Sequence, residues 1–542
     1  MGYYKKHYSK PQQDGEQPKK KGWNPGWKKQ EPIVKKPYTP IATPTDQQVA
    51  IINEFRNGTG NLAVRAYAGC SKTSSTVEGL FQLLMEHPDA STIYLAFGNA
   101  IAREAESKVP SQTLVKTHHS FGLAAYKASM PGKKIEIDDE KRWRITEALV
   151  GRDDKEAELR YNLDKTMEMC KTCLADSSAE EISEIIDRYG IDLCNASREQ
   201  FIDWVEKGLQ AALDQRFIIS FTEMLWFPLK LNLTIPQYDL VIVDEAQDAS
   251  RSRLELSLKA VKPGGRIITL FDRNQAIFDF AGADPTACDY IIERTQPKML
   301  PLTTTFRCAK KIVAMAQSVV SDYTAADNAP DGIVEDMSEE KMMQNLRPGD
   351  VVLSRTNAPL VPICMALIKE KRRAAIKGKD IGKNLSFMIK RSETTSVSAF
   401  LEWLEEWKAD QCEKLAKRKK ECSHIIDRYD VLVAVCENAR TLDEVRNNLR
   451  ELFEDVKEGK DKKAEGFDGV LLSSTHKFKG LENERVFMLS DTYKKDKGDE
   501  EARIWYVAIT RAKRELYLVG AGKLVNENVL AKNEEEIAKE SE

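Results

Sequence analysis

The run Tyr238-Asp239-Leu240-Val241-Ile242-Val243-Asp244-Glu245-Ala246-Gln247-Asp248 decides how this chain folds. Leu240 to Val243 is too uniformly apolar for a strand with one wet face and reads as a central strand of a parallel sheet, covered on both sides. Ligands of such sheets bind beyond the carboxyl ends of the strands, and this strand runs straight into two adjacent carboxylates. Those two groups can divide one reaction. Asp244 would hold Mg²⁺ through water, Glu245 would align and deprotonate an attacking water, and Gln247 would sense a terminal phosphate. An acidic loop after an ordinary strand has the same composition, so the reading needs a phosphate site elsewhere in the chain.

That site lies upstream, at Ala66-Tyr67-Ala68-Gly69-Cys70-Ser71-Lys72-Thr73, between the apolar segment Leu62 to Val64 and a helical run from Ser74 to Leu84. Strand, turn and helix is the context of a phosphate cradle. Backbone N–H groups from Ala68 to Ser74 and the positive end of the helix would face the phosphates, Lys72 would neutralise them, and Thr73 would give a hydroxyl to Mg²⁺. Ala66 and Ser71 stand where the general G-x-x-x-x-G-K-[ST] pattern has glycine, leaving Gly69 alone to ease a close backbone approach.

At 542 residues the chain is too long for one core. Its net charge of −3 hides an uneven distribution: residues 1 to 37 hold ten Lys against three acidic residues, and the last stretch is acidic. Residues 1–40 therefore read as a disordered basic tail and 526–542 as an acidic one. Neither a membrane-length apolar run nor a signal peptide is visible, so a soluble, cytoplasmic protein with no membrane partner is expected, nuclear if the host is eukaryotic. The ten cysteines lack the density of a secreted disulfide scaffold. Cys170-x-x-Cys173 reads as part of a helix, where cysteine is a small apolar residue, rather than as a metal site.

Apolar strands alternate with wholly helical stretches, giving an α/β fold of two domains, each interrupted by a helical insertion. The first comprises 41–125 and 217–293 around an insertion at 126–216, with helix caps at Ser178-x-x-Glu181 and Ser197-x-x-Gln200. The second comprises 294–390 and 466–525 around 391–465, where Trp403 and Trp407 share a helix face and Thr441-x-x-Glu444 caps a later helix.

The order of the remaining motifs resembles the UvrD/Rep/PcrA helicases of superfamily 1, over roughly 41 to 522. Pro44-Thr45-Asp46-Gln47-Gln48 is similar to the family's adenine-reading motif, with Gln48 as reader. Leu95-Ala96-Phe97-Gly98-Asn99 and Thr117-His118-His119-Ser120 are similar to its first DNA-binding motifs, and Phe271-Asp272-Arg273-Asn274-Gln275 with Phe278-Asp279-Phe280 to its third. Phe306-Arg307, Arg355-Thr356-Asn357, Thr475-His476-Lys477-Phe478-Lys479-Gly480-Leu481-Glu482 and Tyr506-Val507-Ala508-Ile509-Thr510-Arg511 are similar to later ones. The wording looks closest to the F-box DNA helicase branch, although no F-box is apparent in the N-terminal stretch.

The resemblance implies two RecA-like P-loop NTPase domains, the insertions matching the 1B domain and a reduced 2B domain. It implies an ATP- and Mg²⁺-dependent DNA helicase that moves 3′-to-5′ on single-stranded DNA in replication, recombination or repair. Arg307 and Arg511 would stabilise charge on the γ-phosphate from the second domain, Phe306 would pack on adenine, Glu482 would bond the ribose, and Gln275 would link the γ-phosphate to the DNA groove. Phe97, Phe278 and Phe280 are the base-stacking candidates. Asn99, Thr117, His119, Arg355, Asn357, Thr475 and His476 are candidates for the rest of the strand. Expected partners are single-stranded DNA, junctions with duplex, and single-strand-binding or recombinase proteins, with the chain itself a monomer. The alternatives are a translocase that strips proteins, an ATP-gated binding subunit with little turnover, and a 5′-to-3′ helicase. Ser71 puts the ATPase rate in question, and Ala281, where the family has arginine, weakens one nucleic-acid contact.

Overall fold

The computed structural model describes residues 35–153, 156–194, 196–277, 286–416, 422–437, 439–454, 467–494 and 498–520. Six parallel strands form the first sheet, in the order Thr113–Thr117, Thr92–Ala96, Tyr238–Val243, Val261–Phe271, Leu62–Ala66 and Lys298–Leu302. Leu240 to Val243 is interior and buried because helices cover both faces with separate apolar clusters, one around Val64, Tyr94 and Ile242, the other around Ile93, Val241 and Val243. Three neighbouring strands end side by side at Val243, Phe271 and Ala66. The phosphate loop, Asp244-Glu245 and Asp272 are thereby delivered to one edge.

Seven parallel strands form the second sheet, in the order Ile333–Met337, Ala512–Val519, Asn483–Leu489, Val351–Ser354, Val470–Ser474, Ala374–Lys377 and Phe453–Glu454. The architecture is that of two RecA-like domains.

The first insertion packs helices Glu140–Val150, Ala157–Cys173, Ala179–Tyr189 and Arg198–Asp214 around a core that also takes in Met224, Trp226 and Phe227 of helix Glu223–Lys230. Ser178 and Ser197 cap two of them by accepting from the N–H of Glu181 and Gln200. Cys170 is buried in that core, and no cluster of metal-ligating side chains occurs among the described residues. The second insertion is built on helices Val397–Ala416, Ser423–Cys436 and Leu442–Leu452, with Trp403 stacked on Trp407 at 6.5 Å between ring centroids. No described helix is long and apolar enough to cross a membrane.

Three expected boundaries shift. Strand Lys298–Leu302 pairs with Leu62–Ala66 and so extends the first sheet beyond residue 293. Phe453–Glu454, placed in the second insertion, joins the second sheet beside Ala374–Lys377. Residues 35–40, assigned to a tail, lie against the first domain: Tyr38 stacks on Phe81 at 3.9 Å, its hydroxyl donates to Glu78 Oε1 at 2.7 Å, and Lys36 N–H donates to Ser107 O. The rest of that tail, and the acidic one, fall outside the described residues.

Candidate nucleotide and nucleic-acid site

The phosphate loop leaves strand Leu62–Ala66 and turns through two left-handed residues, Gly69 at φ +71° and Ser71 at φ +57°. Helix Lys72–Glu86 starts immediately after, with half-buried Thr73 in its first turn. Left-handed backbone suits glycine and strains serine by ~1 kcal/mol, so Ser71 is a departure with a physical cost. Ser71→Gly is expected to raise the melting temperature while keeping or raising turnover. A large loss of ATPase activity in that variant would instead assign the Ser71 hydroxyl a role of its own.

Lys72 reaches from this loop to Glu245, with Nζ 3.3 Å from Oε1 and 3.5 Å from Oε2. Burial works against its charge, but Glu245, Asp272 and Asp244 outweigh it and hold its pKa above the ordinary lysine value. Asp244 accepts from the Tyr94 hydroxyl at 2.5 Å and from the Glu245 N–H at 2.9 Å. Burial and the neighbouring Glu245 push its carboxyl up to about 6. Gln247 joins the second motif to the third: its Nε2 donates to Glu245 Oε2 at 2.5 Å, and its Oε1 accepts from the Asp272 N–H at 3.0 Å. Gln275 donates to Asp272 Oδ2 at 2.7 Å, and its Oε1 accepts from Arg511 Nη2 of the second domain at 3.4 Å.

Arg511 is 1% exposed and also donates to the carbonyls of Val507 and Leu481. Burial, reinforced by Arg307, lowers its pKa to about 10. Arg307 pairs with Glu482 at 2.5 Å and donates to Thr510 O, while Lys513 holds the other Glu482 oxygen at 2.8 Å. Glu482 is therefore held between two cations, and Phe306 beside Arg307 is 49% exposed. The donor set fits a nucleoside triphosphate with Mg²⁺: Lys72 stands among three carboxylates at the end of a left-handed turn, and two arginines meet that edge from the other domain.

Two of the residues expected to meet nucleotide have partners within the protein. Ala68 N–H was assigned to phosphate, yet it donates to the Tyr506 hydroxyl at 3.0 Å, and Ala68 O accepts from Tyr323 at 2.7 Å. Gln48, the adenine reader, is 2% exposed and closes a reciprocal cap with Thr45 while donating to Ser75 Oγ at 3.4 Å. Thr45-x-x-Gln48 fits the capping-box pattern, so that signal was present and went unread. Sequence reasoning also gave no role to Asp248 and Lys479, although both lie in quoted motifs. Lys479 Nζ bridges the domains, 2.7 Å from each Asp248 oxygen and bonded to Gln275 O. Tyr323 lies in no motif and gave no signal.

On the nucleic-acid side, Phe97 carries the Arg253 guanidinium 4.2 Å above its ring, and His119 stacks on the half-exposed Phe221 at 3.9 Å. Burial and Arg253 lower the His119 pKa to about 3, so its ring is neutral. Asn99 is exposed at the start of helix Asn99–Lys108, whereas Thr117 is buried and caps its own helix through Ser120 N–H. Arg355 is tied to Glu501 at 2.8 Å and Asn357 to Asp427 at 2.9 Å, leaving Asn357 Oδ1 buried without a hydrogen-bond partner. Thr475 is buried on the Tyr493 hydroxyl at 2.6 Å, and burial with Arg355 nearby lowers the His476 pKa to about 3. Phe278 and Phe280 lie outside the described residues.

Residues 162–522 match the family described as UvrD-like helicase C-terminal domain. The chain belongs to the UvrD-like helicases. Similar proteins include F-box DNA helicase protein 1 of Schizosaccharomyces pombe (strain 972 / ATCC 24843), 22% identical over 90% of this chain and 58% of that protein. F-box DNA helicase 1 of Gallus gallus is 23% identical over 87% of this chain and 48% of its own length. The chain thus spans about half the length of these relatives. The Lys72–Glu245 pair lies at the carboxylates that follow strand Tyr238–Val243, and the Gln275–Arg511 contact joins the two domains.

Proposed function

We propose that this chain is the motor of an ATP-dependent DNA helicase that steps 3′-to-5′ along single-stranded DNA. The observation that supports this most is the unbroken polar relay Lys72, Glu245, Gln247, Asp272, Gln275, Arg511, which runs from the phosphate loop into the second domain. Glu245 takes the proton of an attacking water. Lys72 carries the charge that binds phosphate, and Arg511 and Arg307 add positive charge once the domains are apposed. Thr73 and Asp244 are the residues that would hold Mg²⁺, which would supply neutralisation of phosphate charge. Because Gln275 touches both the carboxylate edge and Arg511, a change at the phosphates alters domain apposition, and alternate grip on the strand converts that change into movement.

The test is a DNA-stimulated ATPase assay beside unwinding of duplexes with a 3′ or a 5′ single-stranded tail. Preference for the 3′ tail is expected, and preference for the 5′ tail would sink the polarity. Active ATPase without unwinding would favour a protein-stripping translocase. Strand binding without turnover would favour an ATP-gated subunit, a reading for which the strained Ser71 is the supporting observation. Phe97→Ala should cost ~1 to 3 kcal/mol of single-strand affinity with little dependence on base identity, measured by fluorescence anisotropy. Unchanged affinity would remove Phe97 from the stacking surface.

A further inference from the structure

We propose that Cys412 and Cys422 are a redox pair whose disulfide joins two helices of the second insertion. Cys412 lies in the last turns of helix Val397–Ala416, and Cys422 immediately precedes helix Ser423–Cys436. The two helices are clasped where Lys408 sits 3.7 Å over the Tyr429 ring and the Tyr429 hydroxyl bonds Glu405. That clasp sets the register of the two helices, so that Cys412, seven residues beyond Glu405, comes beside Cys422, seven residues before Tyr429, near enough for the two thiols to interact. Both cysteines are half-buried and reduced, neighbours yet reachable, whereas six of the ten cysteines are buried. Two thiols held together and open to solvent are the arrangement in which a reversible disulfide forms under oxidising conditions and opens again under reducing ones.

The oxidant is a small-molecule disulfide such as oxidised glutathione. One cysteine gives up its proton and attacks a glutathione sulfur, forming a mixed disulfide and expelling a glutathione thiolate that takes a proton. The second cysteine, likewise deprotonated, attacks the protein-bound sulfur and expels the other glutathione. Across the sequence one S–S bond breaks and one forms, and two glutathione thiols are released. The bond would fix one wall of a cleft of about 110 Å³ between the insertions, where Gln411, Leu415 and His424 face Glu158, Asn162 and Lys165.

The experiment incubates the full-length chain with oxidised or reduced glutathione, alkylates free thiols, digests with trypsin without reduction, and maps the peptides by mass spectrometry. Lysine or arginine flanks both cysteines, so cleavage releases Ala409–Lys414 and Glu421–Arg428. The expected result is that most of these two peptides are recovered joined after oxidation, separate after reduction, and never joined in Cys412→Ser. Recovery of both cysteines as alkylated thiols, as separate glutathione adducts, or joined to other cysteines would overturn the proposal. The wild-type arms decide it even if the serine variant fails to fold.

Discussion

Glu245→Gln protein is expected to bind ATP as the parent does and to hydrolyse it ~10² to 10⁴ times more slowly, the usual contribution of a positioned general base. Glutamine keeps the length of the side chain and an oxygen that can still accept from Gln247 Nε2, so the link to the third motif survives. What disappears is the group able to take a proton from water. Loss of the negative charge also frees Lys72 from its partner 3.3 Å away, which if anything favours phosphate binding. Fluorescent-nucleotide titration should therefore change little while phosphate release collapses. An unaltered hydrolysis rate would remove Glu245 from the role of base. Lys72→Ala provides the contrast, since it should lose nucleotide affinity first and leave Asp244, Glu245 and Asp272 without the cation that offsets them.

Arg511 should prove as costly to lose by a different route. A positive side chain that reaches the transferring phosphoryl group from another domain accounts for ~10³ to 10⁵ in rate, so Arg511→Ala should retain ATP binding and lose nearly all DNA-stimulated turnover. Because Arg511 also braces the carbonyls of Val507 and Leu481, alanine removes local support as well as charge. Arg511→Lys separates the two effects. It keeps a cation but lacks the planar fork that serves Gln275 and the backbone together. Recovery of most turnover in the lysine variant would mean that charge alone matters, and near-wild-type turnover in the alanine variant, with a normal melting curve, would remove Arg511 from catalysis.

Much of this site was legible because its chemistry sits at strand ends, and the strands announce themselves. Leu240 to Val243 is buried on both faces and leads straight into Asp244-Glu245, so strand and carboxylates were found in one reading. The missed features share a cause: their signal is short or lies in partners far along the chain. Lys298-Met299-Leu300-Pro301-Leu302 carries a lysine and a proline, which a sheet tolerates at its edge, and so did not read as a strand. Phe453–Glu454 is two residues long. Residues 35–40 have the composition of a tail, and only the position of Phe81 and Glu78 on a folded helix gives Tyr38 something to bind. Gln48 fits two patterns at once, the expected adenine reader and the capping box, and its side-chain bond to the Thr45 N–H realises the second.

The grip of Tyr323 and Tyr506 on Ala68 sets a threshold for domain separation. One residue of the phosphate loop gives its N–H to one tyrosine and its carbonyl to the other, and both tyrosines belong to the far side of the cleft. Parting the domains must release both bonds in a single event. At ~1 kcal/mol net for each neutral hydrogen bond, the pair biases the resting molecule toward the apposed arrangement by a factor of about 30. The latch bears on the phosphate loop itself, so a substitution at Tyr323 or Tyr506 would shift domain separation and the shape of that loop together.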